Sequence, residues 1–279
     1  DKYPKTQYKE EVETLLIDSY ITSKNYEEAL LLLEKKKSFE NKAAYQKVAF
    51  YRGLELYNEN QYLEAENLFD KSLGESIDNN FTARATFWKA EADYNLTNYE
   101  DALVGFKQFI QQSTGMDLPE QNNIDYNLAY TYFKLKNYNQ ASNYFNQFIS
   151  KRSSDNLRLN DAYLRLGDGY FVTSNYTQAI KAYGNAIRLN EVESDYAFFQ
   201  KAISTGYAGN ASKKITELET FIDEYPKSKL RDDALYELGN SYVKANQTNK
   251  AMSKYDQLNS EYRMSSFVPK SLLRQGLIH

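Results

Sequence analysis

One short phrase returns seven times along this 279-residue chain: a small residue, an Asn/Gln-Tyr turn, then alanine and an aromatic at helical spacing. The clearest copy reads Gly167, Tyr170, Asn175-Tyr176, Ala179, Tyr183, Ala186. Aligned on their turns, the copies start at Glu10, Gln46, Ala83, Asn122, Asn160, Asp195 and Asp232, and an eighth start falls at Pro269. Glu10 and Pro269 stand 259 residues and seven intervals apart, which sets the mean period at 37 residues. A fixed period of this size specifies a solenoid, in which each unit buries its apolar face only against its neighbours. The expected plan is therefore residues 1–9 as the tail of a preceding repeat, 10–268 as seven units, and 269–279 as the truncated first helix of an eighth. Both ends then fall inside the array, and the expectation is a fragment of a longer protein.

Charge and composition narrow the function classes. The net charge is −4, with both signs scattered along the chain. A nucleic-acid binder instead needs a concentrated basic face to neutralise phosphates. The basic runs Lys35-Lys36-Lys37 and Lys213-Lys214 read as solvated helix faces. There are no cysteines, hence no disulfide framework, thiol nucleophile or thiolate metal site. The longest apolar run, Ala29 to Leu33, falls far short of the roughly 20 residues of a membrane span. The amino end shows no signal peptide.

Within a repeat, small and large apolar residues alternate at three- and four-residue spacing, the mark of an amphipathic helix. Position eight of the copies reads Ile17, Gly53, Ala90, Ala129, Gly167, Ala202, Gly239 and Gly276. Position twenty reads Ala29, Ala65, Ala102, Ala141, Ala179, Lys214 and Ala251. Small side chains on both helices let their axes approach closely. Position twenty-four supplies the plug: Leu33, Phe69, Phe106, Phe145, Tyr183, Leu218 and Tyr255. Between the helices come Asn25-Tyr26, Gln61-Tyr62, Asn98-Tyr99, Asn137-Tyr138 and Asn175-Tyr176. Asn tolerates left-handed backbone, so it is the expected terminator of the first helix. The tyrosine covers the hairpin end while its hydroxyl stays wet.

These positions resemble the tetratricopeptide repeat from Glu10 to His279: small at eight, Tyr at eleven and seventeen, Ala at twenty, aromatic at twenty-four, Ala at twenty-seven. The resemblance implies an all-α, right-handed superhelical solenoid of about seven helix-turn-helix units. The sixth unit departs from the pattern, with Ala211 in the tyrosine slot and Lys214 in the alanine slot. Units of 35 to 39 residues exceed the family's usual 34, implying a longer second helix or inter-repeat loop. The segment Phe221-Ile222-Asp223-Glu224-Tyr225-Pro226-Lys227-Ser228, with Ala234 and Gly239 after it, resembles junctions in bacterial envelope members. These are the Tol-Pal-associated periplasmic protein and the outer-membrane assembly lipoproteins. Tyr3-Pro4 repeats the motif. That likeness implies a periplasmic or outer-membrane-associated location, with a cytoplasmic one as the alternative.

In this family the first helices line the concave side, and positions two, five, nine and twelve share one face. The implied groove wall is aromatic with carboxylates between the rings: Phe50, Leu54, Tyr57, Phe87, Glu91, Tyr94, Tyr126, Tyr130, Phe133, Asp168, Phe171 and Phe199. Such rings can equally be packed between neighbouring helices. If open, the stripe suits a peptide or protein partner whose apolar anchors fill pockets. The family's terminal-carboxylate clamp is not expected, since no position five is basic and Asn240 stands without its lysine partner. Self-association, a structural spacer and a cytoplasmic signalling-peptide receptor are the alternatives.

No catalytic, metal or cofactor site is expected. His279 is the sole histidine, and no nucleophile-base set converges on a recognisable spacing. Gly167-Asp168-Gly169 lies inside a predicted helix, unlike a phosphate loop. Glu191, Glu193 and Asp195 lack the spacing of a calcium loop. The long segment Ser113 to Gln121, with Gly115 and Pro119, reads as a loop.

Overall fold

The computed structural model describes residues 9–36, 41–151 and 154–278, and among these it holds fifteen α-helices and no strand. They follow as α1 (Lys9–Thr22) and α2 (Tyr26–Lys36), α3 (Lys42–Asn58) and α4 (Tyr62–Glu75), α5 (Asn79–Asn95) and α6 (Tyr99–Gln112). Next come α7 (Ile124–Lys134) and α8 (Tyr138–Ser150), α9 (Asn156–Val172) and α10 (Tyr176–Leu189), and α11 (Ser194–Tyr207) and α12 (Ala211–Glu224). Last are α13 (Arg231–Lys244), α14 (Thr248–Glu261) and α15 (Val268–Ile278). The chain divides into two compact units, Asp1–Lys136 and Asn137–His279, each described by itself. Within both, every helix packs on its neighbours in sequence, as a stack of hairpins requires.

The small slots receive the plugs. A Cβ placed on Gly53 would meet the Phe69 ring at 2.7 Å, and one on Gly167 the Tyr183 ring at 2.5 Å. Gly239 faces Tyr255 in the same way. Ala29, Ala65, Ala102, Ala179 and Ala251 are fully buried, as are Phe69, Phe106 and Tyr255. Burying such a ring stabilises by about 1.5–3 kcal/mol, and glycine or alanine opposite is what admits it.

Lys214, the departure in the sixth unit, lies against Gly206, where a Cβ would meet its Cδ at 2.5 Å. Its ammonium then reaches Glu237 of α13 at 2.6 Å. The glycine makes room for the stem, so α12 still begins at Ala211, the slot that tyrosine holds in α2, α4, α6, α8 and α10.

The turns correct the expectation for Asn. The left-handed residue is the one before it: Lys24 (φ 60°), Asn60 (62°), Thr97 (68°), Ser174 (60°), Gly209 (91°) and Asn246 (57°). Thr97 N–H donates to Tyr94 O at 3.1 Å and Asn98 N–H to Asp93 O at 2.9 Å, the paired bonds of a Schellman ending. Asn98 itself has φ −82° and serves as the N-cap of α6. Asn137 and Asn210 accept at their side chains from Gln140 N–H and Lys213 N–H, which satisfies otherwise orphaned donors of the second helix. Asn98 and Asn175 hold the same N-cap position without a side-chain bond, so the capping bond is made at Asn137 and Asn210 alone among these four.

Part of the added length sits elsewhere than expected. α3, α5 and α9 have 17 residues each, against 14 in α4, α6 and α10. In these three repeats the first helix starts upstream of the aligned start, whereas α7, α11 and α13 have 11, 14 and 14 residues. In the third repeat the long segment between α6 and α7 carries the length, as an inter-repeat loop would. Asp78 accepts from Asn80 N–H and Asp155 from Arg158 N–H.

Two junctions in the second unit share one device. Ser228 Oγ donates to Asp195 at 2.6 Å, and Ser265 Oγ to Asp232 at 2.6 Å. Each serine oxygen also accepts the N–H two residues on, Leu230 and Phe267. Tyr3-Pro4 lies outside the described residues. The segment Ser113–Gln121 is pinned: Glu120 in the 3-10 turn Pro119–Asn122 is buried and accepts from Arg84 Nε (2.8 Å) and Trp88 Nε1 (3.0 Å) of α5.

Candidate functional site

The structure sorts the twelve candidate wall residues into buried, engaged and converging groups. Phe50, Phe87 and Phe199 are only 0%, 4% and 8% exposed, which corrects their placement on a groove wall. Each ring turns toward the second helix of its own pair: Phe50 to Phe69 (6.1 Å), Phe87 to Phe106 (5.5 Å), Phe199 to Phe221 (5.7 Å). Position five is thus core in these three repeats. Leu54 packs half-buried on the first unit's core.

Asp168 is a structural anchor rather than a groove carboxylate. It accepts from the Tyr183 hydroxyl at 2.8 Å, the Tyr196 hydroxyl at 2.7 Å and Arg165 Nη1 at 2.8 Å. These bonds tie α9 to α10 and α11. Burial, and then the Asp168 charge, push both phenols above the ordinary tyrosine range. Phe171 meets Tyr176 and Tyr207, each at 5.6 Å, edge-on. Phe133 is half-buried.

The remaining five come together in the first unit. Tyr57 of α3, Glu91 and Tyr94 of α5, and Tyr126 and Tyr130 of α7 line one open cavity of about 270 Å³ with Asn95 and Asn127. The Tyr57 hydroxyl donates to Glu91 Oε2 at 3.0 Å and accepts from Asn95 Nδ2 at 3.0 Å. Asn95 Nδ2 also donates to Glu91 O at 2.8 Å. Burial, followed by the Glu91 charge, holds the Tyr57 phenol well above its usual range, so it stays a donor at any physiological pH.

Other rings fix the cavity walls from behind. Tyr57 lies edge-on to Trp88 (5.1 Å) and Tyr62 (5.3 Å), and Tyr94 to Tyr99 (5.3 Å). Tyr126 and Tyr130 are 5.0 Å apart on one face of α7. Walls held this way lose little freedom when a ligand enters. Four amphipathic rings, a carboxylate and two amides can grip an extended chain through both stacking and hydrogen bonds.

Asn95, Asn127 and Trp88 were not among the sequence candidates. Asn95 and Asn127 sit four residues beyond Glu91 and Asn123, one turn along the same face. Extending the stripe by a turn would have found both. No helix among the described residues is long and apolar enough to cross a membrane.

Sequence models of the tetratricopeptide repeat match residues 233–263 and 126–150. No curated protein matches the chain. Among solved structures, the C-terminal part of a TPR repeat-containing protein from Cytophaga hutchinsonii is similar at TM-score 0.65 and 14% identity, covering 92% of this chain and 98% of that one. YrrB, described as a TPR protein with an unusual peptide-binding site, is similar at TM-score 0.57 and 20% identity, covering 74% of this chain and 94% of that one. The apo form of RapI gives 0.64 and 13%, covering 95% and 80%. At these identities the likeness speaks for the fold. With slot-and-plug hairpins on both sides of the two matched segments, the chain has a fold similar to that of tetratricopeptide-repeat proteins.

Proposed function

We propose that this protein is a non-catalytic scaffold that binds a peptide segment of a protein partner in the aromatic cavity of its first unit. The observation that carries the reading is the convergence of Tyr57, Glu91, Tyr94, Tyr126 and Tyr130, from three helices, on one open cavity. YrrB, a neighbour in fold, has a peptide-binding site by its own description, which supports peptide as the ligand class. The Phe221–Ser228 junction supports a place in a bacterial envelope complex.

The test is selection from a displayed random-peptide library on the intact protein, followed by the double variant Tyr94→Ala/Tyr126→Ala. Wild type should enrich a family of peptides that the variant no longer retains, with helical circular dichroism unchanged. No enrichment by wild type would overturn the peptide reading, and retention by the variant would move the site elsewhere.

A second reading, self-association, is favoured by Leu272, Leu273 and Leu277 of α15, which are 55%, 66% and 71% exposed. Light scattering across a hundredfold concentration range should show mass growth that Leu273→Lys/Leu277→Lys abolishes. A constant monomer mass would remove this reading.

A further inference from the structure

Position eleven of the repeat, a tyrosine in four units, is Asp93 in the third. In the second unit of the molecule that tyrosine has a fixed task. Tyr170 accepts at its hydroxyl from Asn146 Nδ2 at 2.9 Å, and the Tyr242 hydroxyl donates to Glu219. Asn146 and Glu219 both hold position twenty-five of the preceding repeat, so the phenol fills the crevice between successive hairpins and ends on a polar group there. Tyr242 is 1% exposed.

Around Asp93 the same crevice is empty of a ring. Position twenty-five is Asp70, so one carboxylate faces another where a phenol meets a polar partner elsewhere. The result is a cavity of about 440 Å³ between α4, α5 and α6, lined among others by Glu66, Asp70, Lys89, Asp93, Asp101 and Gln108. It is distinct from the aromatic cavity, which α3, α5 and α7 form.

Charge in this cavity is unbalanced. Four carboxylates surround one base, and Lys89 Nζ is bonded to Asp70 at 2.7 and 2.9 Å, with Glu66 at 3.8 Å. Asp93 itself is 5% exposed, lines the cavity, and its carboxylate accepts no hydrogen bond from any described residue. Its oxygens open on the cavity, where a donor from outside can reach them. The open space beside Asp93 and the excess of acceptors match a guanidinium, which donates five hydrogen bonds from a flat fork.

We propose that the crevice between α4, α5 and α6 is a binding site for an arginine side chain of a partner protein, with Asp93 and Asp70 as its paired acceptors. Burial first, and then Glu66, Asp101 and Asp70 against the opposing Lys89, push the Asp93 carboxyl up to about 6. Binding of the cation therefore strengthens as pH rises from 5 to 7.5. The groups facing Asp93 are Glu66 and Asp70 on α4, Lys89 on its own helix and Asp101 on α6.

The experiment uses the full chain with Nα-acetyl-arginine methylamide as probe and its uncharged isostere, the citrulline derivative, as control, followed by amide chemical shifts. Saturable shifts centred on Asp93 and Gln108 are expected for the arginine probe, at least tenfold weaker for citrulline and at least fivefold weaker at pH 5. Asp93→Tyr, which restores the ring used by the other repeats, should abolish the shifts and raise the melting temperature. Asp93→Asn should weaken binding while leaving the fold intact. Equal binding of citrulline, retained binding in Asp93→Tyr, or preferential saturation by calcium or manganese would each overturn the proposal. So would the absence of saturable shifts with 20 mM arginine probe. The Tyr94→Ala/Tyr126→Ala variant should bind the arginine probe normally, which separates this site from the aromatic one.

Discussion

Single residues carry both the fold and its departures. Gly167 exists because the Tyr183 ring lies where a Cβ would be. Gly167→Ala should therefore lower stability by about 1–3 kcal/mol, the usual cost of overfilling a dense core, measured by urea denaturation. Gly74, with nothing within 4 Å of a built Cβ and inside α4, should instead gain about 0.5–1 kcal/mol as alanine. Asp93 gives a pH signature. Its carboxyl is raised to about 6 from 3.8, so the folded state holds a proton that the unfolded chain releases between those values. Asp93 thus contributes most favourably below pH 4, and its contribution is lost as pH rises through 6. Asp93→Asn should stabilise by about 1–3 kcal/mol at pH 8 and by almost nothing at pH 4, read from paired thermal melts. A gain equal at both pH values would show that folding leaves the Asp93 carboxyl unshifted.

At the scale of elements, the turn decides where helices stop and start. Among the described residues, the hairpin turns place their left-handed residue just before Asn or Gln, and only one of those residues is glycine, Gly209. Thr97, at φ 68°, is β-branched and strained there. Thr97→Gly should raise stability by about 0.5–1 kcal/mol, since the left-handed penalty of roughly 1–2 kcal/mol exceeds glycine's entropic cost. An unchanged or lower melting temperature would contradict the Schellman ending. The alternation of small slots, plugs and Asn-Tyr turns was legible from spacing because each pair folds on its own local pattern. The role of Asn was misassigned because both a C-terminal left-handed residue and an N-cap favour Asn. Only the φ values separate the two. The extended first helices were likewise hidden, since the caps Asp78 and Asp155 lie upstream of the aligned phrase.

For the whole molecule, a stack of hairpins localises change. Gly239→Ala, opposite Tyr255 in the second unit, should lower the melting temperature yet leave peptide affinity at the first unit's aromatic cavity within twofold, because repeats couple to their nearest neighbours. A matched loss of affinity would show longer-range coupling. The sequence by itself determined that this chain is all-helical, repeats every 37 residues, and mates small residues with large ones in each hairpin. These follow from period and side-chain volume, which one strand of text records. What only the tertiary structure decided is which rings are walls and which are core. Phe50 and Tyr57 stand seven residues apart on the same helix, two turns along nearly one face. Yet Phe50 is sealed against Phe69 while Tyr57 opens on the cavity. Exposure depends on what the other helices bring opposite, and so do the binding of Asp168 to two phenols and the crevice beside Asp93, since the partners come from other helices of the same repeat and of the neighbouring one.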